Sequence, residues 1–175
     1  EGGMFAIGLD VVDFDGGENF HLFLKNLATG MERDLTPDIS YALQPNIAWS
    51  PDGREIAFLA DKSGHFDACI LNINKGEPRL VFSNCHPCWD LTWSPDGRWL
   101  SVEVEMRGQD YGLFLVPLEG GEPKEVTLNG KPMNAKLAAW SPDSQKLIFS
   151  SDAQGFYDIA IHDLARGTIS WLTEG

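Results

Sequence analysis

Apolar and polar positions along this chain follow a period of two. Ile56, Phe58 and Ala60 alternate with Ala57, Leu59 and Asp61, and Leu100, Val102 and Val104 alternate with Ser101, Glu103 and Glu105. Leu147, Phe149 and Ser151 hold the same phase. This is strand periodicity, and no long stretch sustains the spacing of an amphipathic helix. Each of these strands follows a turn. Ser-Pro-Asp-Gly occurs at 50–53 and 94–97, and Ser-Pro-Asp-Ser at 141–144. Pro presets φ, Asp bonds nearby backbone, and Gly accepts positive φ.

The pattern then repeats. Trp49, Trp93 and Trp140 each open one of these turns, at spacings of 44 and 47 residues. An independent aromatic marker, Phe20, Phe66, Tyr111 and Tyr157, recurs at 46, 45 and 46. Leu27, Ile73, Leu118 and Leu164 follow it by seven residues, and Gly30, Gly76, Gly121 and Gly167 come three later. Four units result, at about 1–38, 39–83, 84–128 and 129–175, and the first lacks its Trp-Ser-Pro-Asp-Gly segment. Each reads as a four-stranded meander. Its last strand is expected at 32–35, 79–82, 125–128 and 169–172. Four short strands every 45 residues predict an all-β fold, a β-propeller of about four four-stranded antiparallel blades. A sandwich would not need such close self-similarity, and the coils of a stacked β-helix are usually much shorter.

The run Trp-Ser-Pro-Asp-Gly, an apolar strand, then Asp-x-x-Gly before an aromatic resembles the TolB-like, WD-repeat-like propeller family. Asp61-Lys62-Ser63-Gly64 and Asp152-Ala153-Gln154-Gly155 carry the third element; Glu105-Met106-Arg107-Gly108 departs from it by having Glu. The blades are also similar to the non-catalytic propellers of prolyl oligopeptidase and tricorn-type peptidases. The resemblance covers nearly the whole chain and implies a fold more than a function. Such propellers usually have six to eight blades. Four units are therefore expected either to be part of a larger propeller or to close a ring by oligomerisation, with self-association through open edges. A start at Glu1 rather than Met suggests a natural start upstream. The TolB resemblance implies a periplasmic protein, and the peptidase resemblance a cytoplasmic one.

Charge narrows the partners. Thirteen Lys and Arg against 26 Asp and Glu give a formal charge of −13. An acidic chain is a poor match for nucleic acid or anionic lipid, and no apolar run approaches membrane-spanning length. The expected partner is another protein or peptide of basic character. The nucleophile elbow Gly-x-Ser-x-Gly, phosphate loops and the dinucleotide fingerprint do not occur, so no enzyme chemistry is expected of the chain itself. The expectation is a non-catalytic interaction scaffold acting through its loop face and central channel. The alternative is the substrate-gating propeller of a prolyl oligopeptidase-type serine peptidase whose catalytic domain lies elsewhere.

A meander sends alternate loops to opposite faces. The loops after the second and fourth strands share the face with the more varied sequence, which is the expected binding face. Loop phase places Asp61, His65, His86, Asp90, Arg107, Asp110 and Asp152 there. In the first unit the corresponding loop, read as 10–19, is longer and carries Asp10, Asp13, Asp15 and Glu18. Calcium is the one cofactor such oxygen ligands suggest, although the full calcium-loop pattern is absent and a solvated acidic loop is the plainer reading. Cys85-His86-Pro87-Cys88 has a spacing that zinc or a redox pair can use, but no second ligand pair lies nearby. Cys69 reads as a small core residue, and Trp49, Trp93 and Trp140 as inter-blade core.

Overall fold

The computed structural model describes residues 4–12, 18–39, 42–106, 108 and 110–174. Among them no helix occurs, and the strands form four successive antiparallel sheets. The first has three strands, β1 (Met4–Val12), β2 (Glu18–Asn26) and β3 (Glu32–Asp34). The second is β4 (Leu43–Trp49), β5 (Glu55–Ala60), β6 (Asp67–Asn72) and β7 (Pro78–Phe82). The third is β8 (Cys88–Trp93), β9 (Trp99–Glu105), β10 (Tyr111–Pro117) and β11 (Lys124–Glu125). A small hairpin of β12 (Thr127–Leu128) and β13 (Lys131–Pro132) precedes the fourth sheet. That sheet is β14 (Ala135–Trp140), β15 (Lys146–Ser151), β16 (Asp158–Asp163) and β17 (Thr168–Trp171). Each sheet is an up-and-down meander, and the four blades make an unclosed propeller.

The turn chemistry is the same in three blades. The Ser50 hydroxyl donates to Asp52 Oδ1 at 2.6 Å and accepts the Glu55 N–H at 2.9 Å, while Arg54 N–H donates to Asp52 Oδ1 at 3.1 Å. Ser94 and Asp96, and Ser141 and Asp143, repeat these bonds. Gly53 and Gly97 sit at φ of 68° and 75°, where an L side chain is strained. Ser144 takes the third such position at φ 59°. It is nonetheless buried, because its hydroxyl leaves its own turn and accepts the Asp96 N–H of the neighbouring blade at 2.9 Å.

The core lies between blades rather than within them. One cluster joins Leu22, Leu24 and Leu35 of blade 1 to Ile56, Phe58 and Leu71 of blade 2. The next joins Leu59 and Ile70 of blade 2 to Trp93, Leu100 and Val102 of blade 3. The third joins Leu113, Leu115 and Val126 of blade 3 to Leu147 and Phe149 of blade 4. Strand alternation explains this. In β5, Ile56, Phe58 and Ala60 face blade 1, while Ala57 and Leu59 face blade 3, so the strand is apolar throughout after Glu55. Each of the larger ones, Ile56, Phe58 and Leu59, contributes about 1.5–3 kcal/mol on burial. Trp49 and Trp140 pack against these clusters and Trp93 lies inside one, as expected of repeat-position core. Cys69 is buried mid-strand.

Some expected boundaries are corrected. The fourth strand of blade 3, expected at 125–128, breaks after Glu125. Thr127–Leu128 turn back on Lys131–Pro132 around Asn129 and Gly130, both at positive φ (53° and 74°). Asn-Gly is a strong hairpin signal, and the hairpin it makes fills the connection to the fourth sheet. The long acidic loop of unit 1 is also shorter than expected. Its extra residues lengthen the strands, which pair from Met4↔Asn26 to Val12↔Glu18. Asp10 and Glu18 are therefore ladder residues; Asp13 and Asp15 lie outside the described residues.

Candidate functional site

The first strand of each complete blade begins irregularly. Pairing shifts between Leu43 and Ile47, between Cys88 and Asp90, and between Lys136 and Ala139. A bulge frees backbone groups and re-aims side chains. In blade 4 it places Leu137 at φ 57° with its side chain exposed, and the Ala138 N–H donates to Glu103 Oε1 of blade 3 at 2.9 Å. Glu103 is buried. Desolvation pushes its carboxyl above the usual range, and the neighbouring Asp90 carboxylate adds to the shift. Asp90 is cross-strand from Glu103 and is also raised by burial; its Oδ1 accepts the Leu91 N–H at 2.8 Å.

Beside these carboxylates the loop face gathers aromatics around a lysine. Lys136 Nζ lies 4.3 Å from the Tyr157 ring centroid and 5.8 Å from that of Tyr111. The Trp89 and Tyr111 rings are 6.2 Å apart. Trp89 is 46% and Tyr157 53% exposed, unusually open for side chains of this size. Asn134 holds the group together. Its Oδ1 accepts the Tyr111 N–H at 2.9 Å, and its Nδ2 lies 3.1 Å from Asp152 Oδ2 and 3.0 Å from the Tyr157 hydroxyl. Two adjoining clefts open here. One, of about 330 Å³, is bounded by His86, Met106, Asp110, Tyr111, Glu125 and Met133. The other, of about 550 Å³, runs past Asp110, Lys131, Asn134 and Asp152.

The residues expected from loop phase divide accordingly. His86 and Asp110 share the first cleft, and Asp110 and Asp152 the second. Asp90 lies in β8 opposite Glu103 and lines neither cleft. Asp61 and His65 belong to blade 2 and have local roles. Asp61 Oδ1 accepts the Ala42 N–H at 3.0 Å, and His65 Nε2 lies 3.3 Å from the buried Asp67 carboxylate. Arg107 lies outside the described residues. Cys85 is exposed, whereas burial pushes the Cys88 thiol up to about 12 and Cys69 to about 11. No group of three or more His, Cys, Asp or Glu suited to a metal ion occurs among the described residues.

Sequence reasoning missed Trp89, Lys136, Asn134, Glu103 and Glu125. Two signals were available. Trp89 is off the repeat, unlike Trp49, Trp93 and Trp140. Tyr111 and Tyr157 replace the Phe of the other units, and a hydroxyl needs a polar neighbour.

Known proteins share this architecture. The model of the TolB beta propeller domain matches residues 8–175. An uncharacterised peptidase of Bacillus subtilis, YuxL, is 30% identical over 146 residues, covering 59% of this chain and 21% of its own length. Dipeptidyl-peptidase 5 of Porphyromonas gingivalis is 26% identical over 179 residues, covering 89% of this chain and 26% of its own. The chain thus spans about a quarter or less of these two relatives. Among solved structures, TolB of Acinetobacter baumannii superposes with a TM-score of 0.71 at 20% identity, covering 98% of this chain and 44% of that one. An acylaminoacyl peptidase superposes with the same score at 16% identity, over 98% and 31%. With the family model matching nearly all of its length, the chain belongs to the TolB β-propeller domain family.

Proposed function

We propose that this propeller is a rigid recognition domain that presents its loop face to an extended peptide segment of a partner protein and performs no chemistry of its own. The observation that carries this reading is the group of Trp89, Tyr111, Lys136 and Tyr157. Exposed aromatic side chains, here Trp89 and Tyr157 with the Tyr157 hydroxyl hydrogen-bonded to Asn134, are the side chains that dominate binding surfaces. The flanking clefts can accept side chains of a bound segment. The relatives named as peptidases favour a second reading, in which the same face meets peptide substrates on their way to a separate catalytic domain. Both readings require peptide recognition here.

An immobilised library of extended octapeptides tests it. The wild-type chain is expected to retain a subset of peptides. Trp89→Ala and Tyr157→Ala should lose them, because each removes an aromatic anchor of about 1–3 kcal/mol. Arg54→Ala, on an exposed turn of the opposite face, should keep them. Equal retention by all four proteins would refute the assignment.

A further inference from the structure

The four blades carry equivalent positions, and in one of them a glycine stands where blade 1 has an imidazole. In blade 1, His21 and Asp34 stand on one sheet face, and His21 Nδ1 pairs with Asp34 Oδ2 at 2.9 Å. Register identifies their counterparts. Asp34 pairs with Phe23, as Glu125 pairs with Phe114, and His21 precedes Phe23 by two residues as Gly112 precedes Phe114. Blade 3 therefore keeps the acid and replaces the imidazole with no side chain. A Cβ built on Gly112 would lie 3.5 Å from Glu125 Oε1, 3.5 Å from Met106 Sδ and 3.1 Å from Phe114 Cε2. Blades 2 and 4 have Asp67 and Asp158 at this position, each bonded to a hydroxyl, Ser63 and Thr173 respectively.

Among the described residues Glu125 Oε1 has no hydrogen-bond partner, and it is shielded from water. Neither Glu125 nor Asp110 has an ion-pair partner among those residues. Desolvation holds the Glu125 carboxyl above its usual range, a penalty that a cation would relieve. The cleft of about 330 Å³ in front of it has Met106, Met133, Pro132 and Tyr111 as walls and Asp110 at an exposed position. Thioether and aromatic walls accept the alkyl stem of a long side chain, and carboxylates accept its charged end.

We propose that this cleft is a pocket for a lysine or arginine side chain of a bound peptide, with the cation meeting Glu125 and Asp110 where blade 1 uses its own His21. The proposal rests on the peptide-recognition reading of this face and names the side chain that the face selects.

The chain's methionines give a local readout. Met106 and Met133 line the cleft, while Met31 lies exposed in blade 1. Carbon-13 methyl-methionine spectra would be recorded with blocked pentapeptides Gly-Gly-Lys-Gly-Gly and Gly-Gly-Arg-Gly-Gly, and with norleucine in the central place. The basic peptides are expected to shift Met106 and Met133 but not Met31, and the norleucine peptide to shift none. Glu125→Gln and Asp110→Asn should each weaken the basic peptides about tenfold or more, as removal of a charge-assisted bond does. Equal response to norleucine, or unchanged affinity in both variants, overturns the pocket. Nitrogen-15 spectra of the tryptophan indoles are recorded on the same mixtures, and shifts of the Trp89 indole without shifts of Met106 and Met133 overturn the pocket while leaving peptide recognition by this face intact. Silence of all these signals overturns both.

Discussion

The three Ser-x-Asp turns form an internal series in which one bond set is repeated and only burial changes. Each serine hydroxyl donates to the Asp two residues on at 2.6 Å and accepts a backbone N–H at 2.9–3.0 Å. Ser94 is fully buried, Ser50 is 6% exposed, and the Ser141 bonds lie at the surface. Replacement by Ala removes about 0.5–1.5 kcal/mol of net bonding, and a buried donor left unmade adds about 1–3 kcal/mol. At Ser141 water replaces the hydroxyl and little beyond the first contribution is lost. Ser94→Ala should therefore cost about 2–3 kcal/mol, Ser50→Ala somewhat less, and Ser141→Ala about 1 kcal/mol. At about 2–4 °C per kcal/mol for a chain of this size, Ser94→Ala lowers Tm by roughly 4–12 °C and Ser141→Ala by roughly 2–4 °C. Urea and thermal unfolding measure the global loss. Hydrogen exchange at the amides of Glu55, Trp99 and Lys146 measures the local one, since each donates to the serine concerned. Equal losses at the three sites, or the largest at Ser141, would show that burial does not set the value of these bonds.

Further outcomes follow from other sites. Ser144→Ala keeps the strained φ and loses the bond to Asp96, so in urea unfolding it should be less stable than Ser144→Gly by about 1 kcal/mol, the relief a glycine gives at positive φ. A thiol-titrating reagent should find one fast thiol, Cys85, in the native chain and three in denaturant, because Cys69 and Cys88 are buried with thiols raised to about 11 and about 12. Glu103 binds its proton more tightly folded than unfolded, so its contribution to stability falls as pH rises from 4.5 through the raised folded value. Unfolding free energy measured across that range should lose this slope in Glu103→Gln, whose amide oxygen can still accept the Ala138 N–H. Asp52, Asp96 and Asp143 have the opposite sign. The Ser50 and Ser141 hydroxyls hold Asp52 and Asp143 low; for Asp96, burial opposes the shift but the Ser94 hydroxyl and Arg98 N–H outweigh it. Their contribution is lost as pH falls below 3.8, and acid titration of unfolding should show stability dropping there.

The fold was legible because each blade repeats the same local signals. A tryptophan, a Ser-Pro-Asp turn and an aromatic at fixed offsets leave few alternatives to a meander, and apolar residues on both faces of β5 require neighbours on both sides. Irregularities were less legible. The hairpin at Asn129-Gly130 has a local signal, and the break in β4 falls on Pro45, but those at the starts of β8 and β14 have none. They follow from how an inner strand meets the next blade. Loop phase was enough to place His86, Asp110 and Asp152 near one another. It could not find Glu103, whose partner Ala138 is 35 residues away and is freed only by a bulge. It also could not show that Asp61 and His65 act within blade 2, because hydrogen-bond partners do not appear in a spacing.

Because the apolar clusters lie between blades, the sequence repeat and the cohesive unit are out of step. A blade cut out at its turns would carry two half-cores and no whole one. What holds is the seam between two neighbours, and stability then accrues seam by seam along the arc, as in a one-dimensional array. Gain or loss of one 45-residue unit by recombination leaves the remaining seams in kind unchanged. Blade number is thus a quantity that evolution can alter in whole steps, while the loops at each seam diverge independently and supply the differences between relatives.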